Sequence, residues 1–203
     1  MCDAKTKKII IAVDCQHDFI SPRGALYVNG SLGTAHKISE HIPEMDGVIF
    51  TVDWHPINHC SFILNGGEWP AHCLMYSEEA AIPNHLLLAA KGMPTLFLEK
   101  GTKPDVEEYG AFEEPANVLK LYKWLDASFN EGSKFELYVC GVAGDYCVNN
   151  TVKSLLEYEC ERNKHFESIK VIEDLCPCID KRFDMKETCE KLGVECVNSK
   201  EIF

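Results

Sequence analysis

Cys147 stands where a run of strand-like residues, Leu137-Tyr-Val-Cys140, breaks at Gly141 and resumes as a helix near Asp145. That placement puts a thiol in the first turn of a helix. Free backbone N–H groups and the positive end of the helix dipole favour the thiolate there. A cysteine nucleophile also needs a base or a positive neighbour, and a place for an oxyanion to rest. Asp14 follows the apolar run Lys8-Ile-Ile-Ile-Ala-Val13, and Lys100 follows a run over 95–98. Gly141, Ala143 and Gly144 are small enough to let a substrate approach the backbone closely. Each residue has a plainer reading: Asp14 as a helix cap, Lys100 as a solvated charge, Cys147 as a small packed side chain. Taken singly those readings stand. They do not explain why all of these residues fall at strand ends.

A second set of residues could hold a metal. Asp53 and His55 are two positions apart, so an extended chain points both side chains the same way. His72 follows in Trp69-Pro-Ala-His72-Cys73. Two imidazoles and one carboxylate suit zinc, iron or manganese with coordination positions left open. His59 is a further donor, better suited to supporting the ligands than to joining them. His17, His36, His41, His85 and His165 have no matching partners and read as surface or packing residues. Phe19, Trp69, Tyr109 and Phe112 lie in loops near the same strand ends and could sandwich a flat ring. For Phe112 the plainer reading is loop packing. Cys176-Pro-Cys178 lacks both redox spacing and a second pair to complete a zinc site.

These residues need a scaffold. Continuous β-branched runs predict buried strands over 8–13, 47–52, 95–98, 135–140, 169–172 and 194–197. Helical spacing predicts helices over 34–42, 86–90, 115–128, from about 145, and 180–192. In the third of these, Val118, Leu119, Tyr122 and Leu125 form one stripe behind Pro115. Strands alternate with helices, and no repeat or linker interrupts them. The expectation is one α/β domain over residues 1–203. It is a three-layer Rossmann-like fold with about six strands, mostly parallel, and helices on both faces. Such sheets bind ligands beyond the carboxyl ends of their strands.

The 203 residues carry a formal charge of −12, which disfavours nucleic acid and anionic membrane as partners. The eleven cysteines are an odd number, scattered, with no secretory leader before the first strand. Reduced thiols and a cytoplasmic location are expected.

Several ordered pieces together resemble a known family. They are Val13-Asp14-Cys-Gln-His-Asp-Phe19, Asp53-Trp-His55-Pro-Ile-Asn-His59, Trp69-Pro-Ala-His72-Cys73, Glu99-Lys100-Gly-Thr, Tyr109-Gly-Ala-Phe112 and Cys140-Gly-Val-Ala-Gly-Asp-Tyr-Cys147-Val. They span most of the chain and are similar to the isochorismatase-like cysteine hydrolases. The Asp-Trp-His-Pro and Trp-Pro-x-His-Cys pieces resemble the metal-binding nicotinamidase branch. The resemblance implies Cys147 as nucleophile, Asp14 as general base and acid, and Lys100 as third member of a triad. It implies one divalent metal on Asp53, His55 and His72, zinc ahead of iron or manganese. It implies an oxyanion hole from the backbone N–H groups of Ala143 and Cys147, with a cis peptide at Val142–Ala143. Phe19, Trp69 and Tyr109 would flank the substrate ring. The activity implied is hydrolysis of nicotinamide to nicotinate and ammonia through a cysteine thioester, in NAD salvage, with pyrazinamide also cleaved. The partner expected is that small molecule, with a homo-oligomer in keeping with such domains. The rival readings are a relative acting on isochorismate or an N-carbamoyl amide, and a non-catalytic binding protein. The chain departs from the pattern at His17, where Asn is common, at Gly144, where Thr is common, and in the Leu-Met-Tyr-Ser-Glu-Glu-Ala run after Cys73.

Overall fold

The computed structural model of the chain describes residues 6–161 and 166–203. His165 lies outside the described residues, as do residues 1–5 of the polar N-terminal segment. The elements run β1 (Lys7–Val13), α1 (His17–Ile20), α2 (Ser31–His41), β2 (Gly47–Asp53), α3 (Asn84–Ala89), β3 (Thr95–Lys100) and α4 (Pro115–Ser128). Then come β4 (Phe135–Gly141), α5 (Asn149–Glu161), β5 (Phe166–Ile172), α6 (Met185–Leu192), β6 (Glu195–Val197) and α7 (Ser199–Ile202). The strands form one sheet in the order β3-β2-β1-β4-β5-β6. Every pairing is parallel.

The apolar runs make this sheet possible. Ile9, Ile10, Ile11 and Val13 of β1 are fully buried, as are Val48, Ile49 and Phe50 of β2 and Leu137 and Val139 of β4. Residues that alternate in direction along a strand are all apolar only where both faces are covered. Each such side chain contributes on the order of 2 kcal/mol by leaving water. α2 and α3 pack on each other. Strand order moves one way from β1 through β2 to β3, then back past β1 to β4 and onward. Right-handed crossovers therefore put α4, α5 and α6 on the opposite face.

Where the order reverses, a crevice opens between the carboxyl ends of β1 and β4. Gly141 closes β4 at that point. It pairs with Val13 and has φ of +120°. A Cβ there would lie 2.1 Å from the Val13 carbonyl oxygen. Val142 N–H instead donates to that oxygen at 2.9 Å, which keeps the two strand ends together.

Several boundaries differ from those expected. The last long helix begins at Met185 rather than 180, because the Asp184 side chain accepts the Glu187 N–H at 3.0 Å and caps it. α2 starts at Ser31 and β5 at Phe166, each three residues earlier than periodicity suggests. Cys147 sits in a wider π-helical turn, Gly144–Val148, that leads into α5. Among the described residues no helix is long and apolar enough to cross a membrane.

Gly141→Ala is expected to lose on the order of 3 kcal/mol, because the methyl group meets backbone and the positive φ is unfavourable. Urea unfolding measures this. A midpoint within error of wild type would show that the switch point tolerates a side chain.

Candidate active site and metal centre

Neighbouring strand ends deliver the ionisable groups. In the β2–β3 register Asp53 is opposite Lys100. Asp14 follows β1 with φ of +47°, and its N–H donates to the Thr51 carbonyl at 3.1 Å. The Thr51 hydroxyl donates to Asp14 Oδ1 at 2.6 Å. Lys100 Nζ lies 2.8 Å from Asp14 Oδ2, 3.5 Å from Cys147 Sγ, and in contact with Asp53 Oδ1. All four residues are buried; Lys100 is 1% exposed. The Val142–Ala143 peptide is cis.

Burial alone would discharge this cluster, and the charges partly resist it. Burial works against the Lys100 ammonium, but the Asp14 and Asp53 carboxylates hold its pKa well above the ordinary lysine value. Burial pushes the Asp14 carboxyl up, and Lys100 opposes that without cancelling it. For Cys147, burial pushes the thiol well above its ordinary value; Lys100 pulls down, and Asp14 and Asp53 push up. The expectation of a thiol acidified by its helix start is therefore corrected. Desolvation and two carboxylates raise the Cys147 thiol, and Asp14 beside it is a carboxylate of raised basicity.

Asp53, His55 and His72 converge next to this cluster. His55 Nε2 is 3.5 Å and His72 Nε2 3.8 Å from Asp53 Oδ2. His55 Nδ1 faces the Gly101 carbonyl at 2.9 Å, and His72 Nδ1 faces the Pro70 carbonyl at 2.7 Å. A carbonyl accepts only, so each Nδ1 carries the proton and each Nε2 presents a lone pair. Two lone pairs and a carboxylate oxygen then face one another with no hydrogen between them. That arrangement fits a divalent cation, and backbone carbonyls orient its imidazoles. Gly101 has φ of +62°, and a Cβ on it would stand 2.3 Å from the His55 ring. The residue after the buried lysine thus has to be glycine for His55 to occupy its place.

Two polar residues hold this cradle from behind. The Gln16 amide pairs with the peptide of Asp53: Nε2 donates to Asp53 O at 2.8 Å, and Oε1 accepts from Asp53 N at 2.8 Å. His59 lies against His55 with ring centroids 4.1 Å apart and planes tilted by 33°. Its Nε2 donates to Val106 O at 3.0 Å, and its Nδ1 accepts from Ser61. Both ring nitrogens are thus engaged away from the cradle.

A pocket of about 390 Å³, counting its mouth, opens over the thiol and the cradle. Phe19, Trp69, Tyr109, Ala143, Cys147, His72 and Asp53 line it. Phe19 meets the His72 ring edge-on at 5.5 Å, and Trp69 Nε1 donates to the Tyr109 hydroxyl at 3.0 Å. Phe112 is fully buried elsewhere in the core. His17 faces a separate polar surface hollow with Arg23 and Glu79. Sequence reasoning missed Leu26, Val28, Glu107, Tyr146 and Ile179 in the pocket wall. Tyr146 had a signal, since it precedes the thiol within the same turn. The others sit on loops whose path no local pattern reveals.

No protein-family model matches the chain. It is similar to a nicotinamidase from Escherichia coli (strain K12), 32% identical over 74% of this chain and 76% of the relative. Among solved structures it is similar to PnC1 from L. infantum in complex with nicotinate. The identity is 29%, with 96% of this chain and 94% of that chain covered and a TM-score of 0.79. It is also similar to a pyrazinamidase of Pyrococcus horikoshii in complex with zinc. Here the identity is 30%, over 95% and 99% of the two chains, with a TM-score of 0.71.

A thiol held above its ordinary pKa offers little thiolate at neutral pH. In metal-free protein, alkylation of Cys147 by iodoacetamide should therefore climb roughly tenfold per unit between about pH 6 and 8, without a plateau. Lys100→Met should slow it further by removing the cation that favours the thiolate. Peptide mass spectrometry reads the site. A plateau below about pH 7 would mean that the resting sulfur is already ionised.

Proposed function

The chain belongs to the nicotinamidase family, and on that premise we infer that it hydrolyses the carboxamide of nicotinamide to nicotinate and ammonia. The observation that carries the reading is one of proximity. A thiol, a carboxylate and an ammonium in mutual contact share a ring-sized pocket with a cation cradle.

Asp14 takes the Cys147 proton as the sulfur attacks the carboxamide carbon. The Lys100 ammonium, beside the sulfur, favours the charge that forms there. The backbone N–H groups of Ala143 and Cys147 receive the oxyanion. Asp14 returns the proton to nitrogen, the C–N bond breaks, and ammonia leaves a thioester on Cys147. Asp14 then accepts a proton from a water molecule that attacks the same carbon. The C–S bond breaks, and nicotinate and the thiol are released. Desolvation suits this sequence: a carboxylate whose basicity is raised by burial is the better base toward a thiol.

Phe19, Trp69 and Tyr109 bracket the ring, and Tyr146 extends that wall. Asp53, His55 and His72 would hold a divalent ion, zinc before iron or manganese, which would supply a Lewis-acidic anchor for the ring nitrogen. Pyrazinamide presents a nitrogen at the same ring position and follows as a second substrate. The eleven scattered cysteines support a reducing, cytosolic setting in NAD salvage.

Cys147→Ala should abolish ammonia release from nicotinamide while leaving the far-ultraviolet circular dichroism unchanged. Retained turnover would remove the nucleophile assignment. In wild type, rapid quenching should leave a nicotinoyl adduct on the Cys147 peptide, and an adduct on another cysteine would move the chemistry elsewhere. His72→Ala should lower bound metal about 10-fold or more and raise KM for nicotinamide. Unchanged metal content by elemental analysis would mean that the ligand set is wrong.

A further inference from the structure

Asp18 is a carboxylate with no task in the mechanism above. It is 4% exposed, and among the described residues no lysine, arginine or histidine lies within ion-pair distance of it. Burying a carboxylate without a cation is costly unless hydrogen bonds satisfy its oxygens. Backbone N–H groups do so here, one for each oxygen. Cys73 N–H donates to Oδ2 at 2.7 Å, and Ala25 N–H donates to Oδ1 at 2.8 Å. Bonds of this charge-assisted kind are short and directional.

The two donors belong to the two sides of the pocket. Cys73 follows the metal-cradle residue His72, and its backbone is held at φ of +45°. The Cys73 carbonyl in turn accepts the N–H of His55 at 3.0 Å. One residue, Cys73, thus stands between Asp18 and both imidazoles of the cradle. On the other side Ala25 precedes Leu26, which lines the apolar wall with Val28. Leu26 N–H donates to the Asp18 carbonyl at 3.1 Å, so the same residue grips that segment twice. Phe19, next in the chain, lines the pocket between the two sides.

We propose that Asp18 is a positioning residue that sets the metal cradle and the apolar wall of the ring pocket in register, touching neither the substrate nor the reacting atoms. The inference rests on the reading of the cradle and pocket given above. Its consequence is a split. Loss of Asp18 loosens the binding of metal and ring, while the proton transfers among Asp14, Lys100 and Cys147 keep their geometry.

The test uses Asp18→Asn, which offers one acceptor to two donors, in the full-length protein. The expected result is a folded variant whose zinc affinity, measured by chelator competition, falls about 10- to 100-fold. KM for nicotinamide should rise by a similar factor. Turnover at saturating zinc and substrate should stay within about threefold of wild type, and the rate of Cys147 alkylation in metal-free protein should not change. Asp18→Glu, which keeps the charge and displaces the oxygens, should show the same split and stands in if the amide does not fold. Unaltered zinc affinity and KM in a folded variant would overturn the assignment. So would a fall in turnover and alkylation rate to match them, which would mark general collapse of the site. Wild-type protein that binds no zinc would overturn both the cradle and this inference. Wild type that binds zinc and turns over nicotinamide, beside a variant indistinguishable from it, would overturn the Asp18 assignment alone.

Discussion

The Lys100 ammonium, buried between the Asp14 and Asp53 carboxylates, is the interaction on which the rest depends. Removing one member of a buried charge cluster costs on the order of 3–5 kcal/mol, since the remainder cannot be rehydrated. The sheet makes the cluster possible. β1, β2 and β3 are neighbours with parallel register, so their ends finish side by side. Two carboxylates and one ammonium leave a formal excess of one negative charge. A cation in the adjacent cradle is the natural complement to it. The electrostatics of the Asp14–Lys100–Cys147 cluster and of the adjacent cradle are therefore one problem with one solution.

Asp53 joins the two halves. Its Oδ1 contacts Lys100, and its Oδ2 faces His55 and His72. Burial alone would raise its pKa, but the Lys100 ammonium holds the carboxyl well below its usual range. A residue with two faces must be oriented accurately, and Gln16 supplies that through both the N–H and the carbonyl of its peptide. Lys100, Gly101 and His55 show the same economy. The lysine serves the thiol, while the glycine after it makes room for an imidazole and orients it.

Much of this was readable in the chain. The β-branched runs marked the strands, and Asp14, Asp53, Lys100 and the 141–147 turn stood at their ends. The order of the strands was not readable, because adjacency of β1 and β4 is a tertiary fact. Nor was the burial of Gln16 and Asp18, which look like loop polarity until their backbone partners are seen. The start of α6 was misjudged although Asp184-x-x-Glu187 offered a capping signal. The polar stretch 180–184 has helical spacing but is spent on a turn, in which Asp180 accepts from the backbone and side chain of Arg182. The raised thiol pKa was missed for a general reason. A helix start is a local feature, whereas desolvation and neighbouring carboxylates come from elements far apart in sequence.

The departure at Gly144 has a packing explanation of the same non-local kind. A Cβ at this position would stand 2.6 Å from Cys178 Sγ and 2.7 Å from the Cys176 carbonyl. Gly144 N–H donates to the Pro177 carbonyl at 2.9 Å. The Asp145 carboxylate accepts the N–H groups of Ile179 at 3.0 Å and Asp180 at 2.8 Å. The segment 176–180 is thus strapped onto the turn that carries Cys147, and Ile179 reaches the pocket wall from it. A threonine at 144 would need that strap to retreat. Glycine at 144 and cysteine at 178 therefore form a matched pair. The change lies behind the Cys147 turn, and its reach into the pocket is through Ile179, which shapes the pocket wall and leaves the contacts among Asp14, Lys100 and Cys147 as they are.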